Sequence, residues 1–414
     1  MYSSVLKNTN FLKIWIAQLT SQLAANLLNF ALIIRVYELA AHTRYANIAV
    51  SLLILAFGVP SIVFAVLAGA YVDHWDRKKV LIITNIARAI LVLGFLFIDS
   101  NLIFIYLTVF AISVFSQFFT PAEGAALPRL VDKSEFLSAN SLFLFTLYGS
   151  YVIGYSLAGP LVALGGADSV YWVTAVAFAV AALLSIWLPN LRAESIQKSL
   201  RQVNSEVFST IRTNFHQIIT NPRLMFPILN LTIAQAMLGV VAVLAPAIAF
   251  LIFNQSLANV SFKLIVPAAI GMIIGAILVG RFFKYANKTR IIDFGIFAAA
   301  IMLVGLSFVP ALSGLRYFGL VVATISLSLG IANGLVSVSA QTLLQLNSTD
   351  ETRGKIFGTL NMMMNLAAIV PVFLAGISAD LISPLSVLTI SGILIGIYGV
   401  YQYFAFSKLH LKNT

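Results

Sequence analysis

Cysteine is absent from this chain, and its absence excludes disulfides, thiol nucleophiles and thiolate metal sites. Charge is scarce. Only 9% of the 414 residues are Asp, Glu, Lys or Arg, against about 25% in a soluble domain. Acids are scarcer still, at 14 against 25 bases, and histidine occurs four times. A chain this poor in charge cannot cover a water-facing surface. What fills it instead is apolar: 60% of residues are hydrophobic and the mean hydropathy is +0.98. The apolar residues lie in long unbroken runs rather than in alternating strands, which excludes a transmembrane barrel and leaves an all-α membrane protein. The net charge of +11 sits in short segments between those runs. Membrane topology accounts for that placement better than nucleic-acid binding does. The first apolar run begins almost at once, so it is expected to serve as its own targeting signal without a cleavable leader.

About 20 apolar residues cross a bilayer as a helix. On that measure the sequence predicts twelve spans, near residues 12–37, 47–71, 80–98, 101–120, 139–163, 169–189, 223–252, 262–283, 291–310, 316–344, 356–382 and 385–406. Most cations, among them Lys7, Lys13, Arg77, Lys78, Lys79, Arg129, Arg192, Arg290, Arg353 and Lys408, fall at one set of ends. The opposite loops hold only Arg44, Lys263 and Arg316. The positive-inside rule then places both termini in the cytoplasm of a multi-pass inner (plasma) membrane protein. One long polar stretch, 190–222, divides a six-span bundle at 1–189 from a second at 223–414. Within it Val203, Phe208, Ile211 and Phe215 recur at helical spacing, the pattern of an amphipathic helix on the membrane surface. A repeat supports the two bundles. Gly69 to Leu81 aligns without gaps to Gly280 to Ile292, an offset of 280 − 69 = 211.

The first copy of that repeat, Gly69-Ala-Tyr-Val-Asp-His-Trp-Asp-Arg-Lys-Lys-Val80, resembles the loop between spans two and three of the major facilitator superfamily. Asp76 stands where the superfamily often has a second glycine. Pro121-Ala-Glu-Gly-Ala-Ala-Leu-Pro-Arg-Leu-Val131 and Arg353-Gly-Lys-Ile-Phe-Gly358 resemble loops of its macrolide-efflux-like branch. Gly159-Pro160 is similar to the core of its antiporter motif, with the closing glycine pair displaced to Gly165-Gly166. The resemblance implies two six-helix bundles and a secondary transporter working by alternating access. It implies export of an amphipathic, drug-like small molecule, exchanged against protons. It also implies gating roles for Gly69, Asp73, Arg77, Lys78, Arg88, Glu123, Gly159, Pro160 and Arg353. A lipid or lysolipid flippase of the same fold is the alternative cargo class.

A transporter needs polar groups inside its spans, because lipid cannot solvate a polar cargo. Gln18, Gln22, Asn26 and Asn29 fall on one face of span one at steps of four, four and three. Asn230 and Gln235 in span seven, Asn333 and Ser337 in span ten, and Asn361 in span eleven extend the candidate set. Interhelical hydrogen bonding is the competing use of such amides. Arg88 lies about 12 Å of helix rise beyond Val80 and needs a partner, for which Asp73 and Glu123 are the nearest acids. The branch's pattern puts an acid near Asn26, and an amide carries no proton. No Asp, Glu or His is evident in the middle of a span. Glu38, Glu123 and Asp380 remain as proton candidates, and Asp380 and Asp99 are expected to face water at span ends. An intramembrane enzyme is disfavoured. His42, His74, His216 and His410 fall in loops or the tail, and no Gly-x-Ser-x-Gly, metal-ligand cluster or phosphate loop is present. Neither a cofactor nor a metal is expected, and the protein is read as a monomer in the bilayer.

Overall fold

The computed structural model describes residues 4–72, 74–98, 100–132, 135–191, 220–283, 285–346 and 350–406. The proposed surface helix of the linker and Asp73 therefore lie outside the described residues. The described residues contain helices and no strand. In chain order the helices are α1 (Thr9–Ala40), α2 (Ala46–Val63), α3 (Ala65–Val72), α4 (Arg77–Ile98), α5 (Leu102–Leu130), α6 (Phe136–Ile186), α7 (Pro222–Phe253), α8 (Leu257–Ile277), α9 (Lys288–Phe308), α10 (Phe318–Leu346), α11 (Asp350–Leu381) and α12 (Pro384–Ala405).

Ten of the described helices are long and apolar enough to cross a membrane. α6 accounts for two of the twelve expected spans. Its 51 residues would reach about 76 Å at 1.5 Å per residue, far beyond the ~30 Å hydrocarbon core. The backbone breaks at Gly166, where φ is +69° and ψ is −177°. Only glycine enters that region without strain. Ser169 Oγ donates to the carbonyls of Gly166 and Leu161 across the break. The displaced glycine pair thus makes the turn between spans five and six. Span four also differs from expectation, since α5 runs ten residues past 120, through both Pro121 and Pro128. Each proline removes one backbone donor. Glu123, within α5, is consequently a helix residue rather than a loop residue.

The chain forms two compact units: residues 1–35 with 55–209, and residues 36–54 with 210–414. Short segments of α1 and α2 thus group with the second half of the sequence. In the first unit a core of Phe11, Ile14, Leu81, Phe119, Leu127 and Phe143 joins α1, α4, α5 and the first arm of α6. Cations and amides of this unit close helix C-terminal ends. Asn8 donates to Leu130 O at 2.7 Å, Lys13 to Trp187 O at 3.1 Å and Lys78 to Leu188 O at 2.7 Å. A positive charge at the negative end of a helix dipole is favourable, which gives three of the sequence's clustered polar residues a structural use.

The second unit is held by glycine seams. Gly271 and Gly275 of α8 lie against Gly330 and Gly334 of α10. A Cβ on Gly330 would fall 1.9 Å from Ala268 O, and one on Gly271 2.1 Å from Leu327 O. Two small-xxx-small patterns thus face each other, bringing the two backbones into contact where lipid offers no hydrophobic drive for association. Gly295 approaches Val336 and Ala332 of α10, and Gly392 of α12 approaches Ala300 and Val304 of α9, in the same way. Gly330→Ala is expected to lower the thermal unfolding temperature of the purified protein, at a cost of about 1–3 kcal/mol for overpacking. Gly305→Ala, with nothing within 4 Å of its Cβ, is expected to leave it unchanged. Intrinsic tryptophan fluorescence during heating checks both. Equal unfolding temperatures for Gly330→Ala and the parent would remove the seam's role.

Candidate functional site

The polar stripe of α1 divides in two. Gln18 and Asn26 are buried, at 4% and 3% exposure. Asn26 Nδ2 donates to Ser150 Oγ at 3.3 Å, and Gln18 Nε2 to Phe143 O at 3.4 Å. Trp15 Nε1 donates to Thr146 Oγ1 at 2.8 Å on the same seam. Gly154 lets α6 approach, since a Cβ there would stand 2.6 Å from Asn26 Cβ. These groups hold α1 to the first arm of α6. Gln22 and Asn29 are different. Both are half-buried, and neither makes a hydrogen bond to a described residue. They are separated by seven positions, two helical turns, and so share one side of α1. Alongside, Tyr155 packs on Phe30 with ring centroids 5.3 Å apart, and Tyr151, half-exposed, packs on Tyr155 at 6.2 Å.

In the second unit Asn333 is 1% exposed, and its Nδ2 donates to Ala234 O of α7 at 3.1 Å. Ser337 Oγ donates to Asn333 Oδ1 at 3.4 Å. Asn230 is fully buried and donates to Phe226 O within its own helix at 2.9 Å. A narrow apolar crevice beside Asn333 is lined by Ile233, Met237, Ile296, Val336 and Ile395. Gln235 is exposed on α7. The side chains of Asn361 and Arg353, both on α11, lie outside those described.

The loop between α3 and α4 shows why Asp76 replaces a glycine. Its Oδ1 accepts from Lys78 N at 3.0 Å, so it caps the N-terminus of α4. Gly69 has open space where a Cβ would go, so packing does not demand glycine there. Gly159 is buried and Pro160 half-buried within the first arm of α6. Arg77 is buried in the first turn of α4. Arg88, at 2% exposure, donates from Nε to Thr84 O at 3.2 Å and from Nη2 to Asn85 Oδ1 at 2.7 Å. Its guanidinium lies between two rings, 4.5 Å from the centroid of Phe119 and 4.6 Å from that of Phe178. A planar cation stacks on aromatic faces in a way an ammonium does not. Glu123 on α5 is 5% exposed and is the acid that Arg88 senses electrostatically. Its Oε1 has no hydrogen-bond partner among the described residues.

Two acids have surroundings that the sequence did not suggest. Asp293 on α9 is 6% exposed and accepts from Nε2 of Gln402, itself fully buried, at 2.9 Å. It sits in the second turn of an apolar helix, and it is not among the residues singled out from the sequence. Asp380 was expected to face water. Instead its carboxylate caps the start of α2, accepting from Asn47 N at 3.1 Å, Asn47 Nδ2 at 2.7 Å and Ile48 N at 2.9 Å. The first α2 amides have no partners within their own helix, and α11 supplies one.

These spans, with buried polar groups at helical spacing, match the model of the Major Facilitator Superfamily across residues 14–371. The chain belongs to that superfamily. It is a multi-pass membrane transporter, and its curated relatives are transporters too. It is 26% identical to an uncharacterized MFS-type transporter, YfiS, of Bacillus subtilis (strain 168), over 92% of this chain and 90% of that one. It is 24% identical to macrolide efflux protein A of Streptococcus pyogenes, over 93% of each chain. It is 26% identical to a putative bacilysin exporter, BacE, of Bacillus subtilis (strain 168), over 80% of each. Among solved structures, the nucleoside transporter NupG superposes with a TM-score of 0.72, at 14% identity and over 97% of this chain and 98% of that one. That likeness establishes the superfamily fold.

Arg88 and Glu123 lend themselves to a double-mutant cycle. Arg88→Leu removes the cation that Glu123 senses electrostatically and is expected to destabilise the protein. Combining it with Glu123→Gln removes the acid as well. The double variant is expected to unfold at a higher temperature than Arg88→Leu alone. Additive losses in thermal unfolding would mean that the two groups do not interact.

Proposed function

We propose that this superfamily member is a secondary transporter that exports amphipathic small molecules by alternating access, in exchange for protons, from the bacterial cytoplasm. The observation that carries the reading is the pair Gln22 and Asn29. Each is a partly buried amide in the middle of a spanning helix, with no hydrogen-bond partner among the described residues. Hydrocarbon cannot satisfy such groups, so they belong against water or a polar cargo. Tyr151 adds a half-exposed aromatic face on α6, packed on the Tyr155 ring that itself packs against Phe30 of α1. Gln18 and Asn26 hold that wall in place through α6. In the second unit Gln235 is the exposed amide, while Asn230, Asn333 and Ser337 position α7 and α10, and Asn361 completes the candidate set. Export rather than uptake rests on the names of the relatives, macrolide efflux protein A and a putative bacilysin exporter. Gly69, Asp73, Arg77, Lys78, Gly159, Pro160 and Arg353 are proposed to gate the cycle, with Arg88 and Glu123 bracing the helices that move.

The test begins with a thermal-shift screen of purified protein against macrolides, other uncharged and cationic amphiphiles, and a lysolipid. Gln22→Leu and Asn29→Leu are then measured against the best ligand. Each lost hydrogen bond is worth about 0.5–1.5 kcal/mol, so binding is expected to weaken roughly two- to tenfold per variant. Unfolding temperature without ligand should stay unchanged. A ligand bound equally by parent and both variants would remove these amides from the cargo site. Stabilisation by the lysolipid alone would favour the flippase reading.

A further inference from the structure

The Asp380 cap on α2 joins residues 333 positions apart in the chain. It consists of three hydrogen bonds accepted by one carboxylate, two of them from backbone amides at a helix start. Both the ionised acceptor and the positive end of the helix dipole make such bonds stronger than neutral ones. One turn earlier on α11, Gly376 brings the helices into contact. A Cβ there would stand 2.6 Å from Ser51 Oγ and 2.8 Å from Asn47 O. Ser51 is fully buried in this joint and Asn47 is 6% exposed.

Two features set the joint apart from permanent packing. Residues 36–54 belong to the second compact unit, yet the two helices carrying them continue into the first, changing membership after Arg35 and after Ile54. The joint is also incompletely satisfied, because Asn47 Oδ1 is buried without a hydrogen-bond partner among the described residues. An unmet buried acceptor costs about 1–3 kcal/mol of stability. A contact built to stay closed would gain by eliminating it.

We infer that Asp380 is a releasable gate residue, whose carboxylate holds the α1–α2 hairpin end on α11 in one transport conformation and lets go of it in another. The charge pattern of the sequence puts this end on the face opposite the cytoplasm, away from the Gly69–Val80 loop. Asp380 acts on transport through the position of α2 and does not touch cargo. The energy of a helix-end anion is small enough to be overcome in a cycle and large enough to bias populations severalfold.

The natural absence of cysteine permits a direct test. Ser51→Cys is introduced alone, the protein is placed in lipid nanodiscs, and labelling by a hydrophilic maleimide is timed. The parent is expected to react slowly, at the rate of brief openings. Adding Asp380→Asn is expected to raise that rate about fivefold or more, and Asp380→Glu to return it most of the way. A control thiol at Ser339→Cys, fully buried in α10, is expected to keep its rate. Gly376→Ala wedges the same joint without touching the charge and should also raise labelling at Ser51→Cys, which covers failure of Asp380→Asn to fold. Unchanged labelling in Asp380→Asn and Gly376→Ala overturns the gate. So does a parallel rise at Ser339→Cys, which means general loosening. The readout requires no cargo, so its failure leaves the exporter reading standing.

Discussion

A polar group inside a bilayer has no water to fall back on, and each group must find its partner within the protein. That constraint runs through this structure. Backbone amides and carbonyls are closed by helices. Where helices end, side chains take over: Asn8 at the end of α5, Lys13 and Lys78 at the end of α6, Asp76 at the start of α4 and Asp380 at the start of α2. Buried amides follow the same rule, with Asn26 bonded to Ser150 and Asn333 to Ala234. Against this background the partly buried Gln22 and Asn29 stand out, since neither makes a hydrogen bond to a described residue, and they are the pair proposed to meet water or a polar cargo.

Close approach is the second consequence of the membrane as solvent. Two apolar helices gain little by meeting in lipid, because lipid tails are as apolar as leucine. Association then depends on van der Waals contact between backbones, and glycine permits it. The seam of Gly271 and Gly275 against Gly330 and Gly334 fixes α8 on α10, and Gly154 fixes α6 on Asn26 of α1. Gly376 plays the same part at the Asp380 joint, where close contact and a charge-assisted cap lie one turn apart.

Acidic residues are few, and four of the described ones have distinct tasks. Asp76 caps a helix within its own loop, whereas Asp380 caps one across the chain. Asp293 ties α9 to α12 through Gln402, and Glu123 is the acid that Arg88, lying over the rings of Phe119 and Phe178, senses electrostatically. A superfamily transporter that lacks an acid at Asn26 distributes its carboxylates over helix ends and buried braces. That distribution makes conformational change, rather than a single mid-span acid, the place to look for control.

The sequence by itself determined the class, the number of spans and their approximate places, because about 20 apolar residues in a row have one stable use in a bilayer. It also marked Arg88 as a buried charge in need of an acid, and the stripe on α1 as a polar face, because both stand out against apolar neighbours. It could not divide that stripe. Gln18 bonds α6 at Phe143 and Asn26 bonds it at Ser150 beside Gly154, while Gln22 and Asn29 make no hydrogen bond to a described residue, and helical spacing treats all four alike. It placed Glu123 in a loop because the stretch from Pro121 resembles the superfamily's loop after span four, whereas α5 runs on through both prolines. It left Asp380 facing water and passed over Asp293, because a carboxylate near a span end looks solvated until a distant helix start or a buried glutamine is seen against it. Those partners lie 333 and 109 positions away, and only the tertiary structure brings them together.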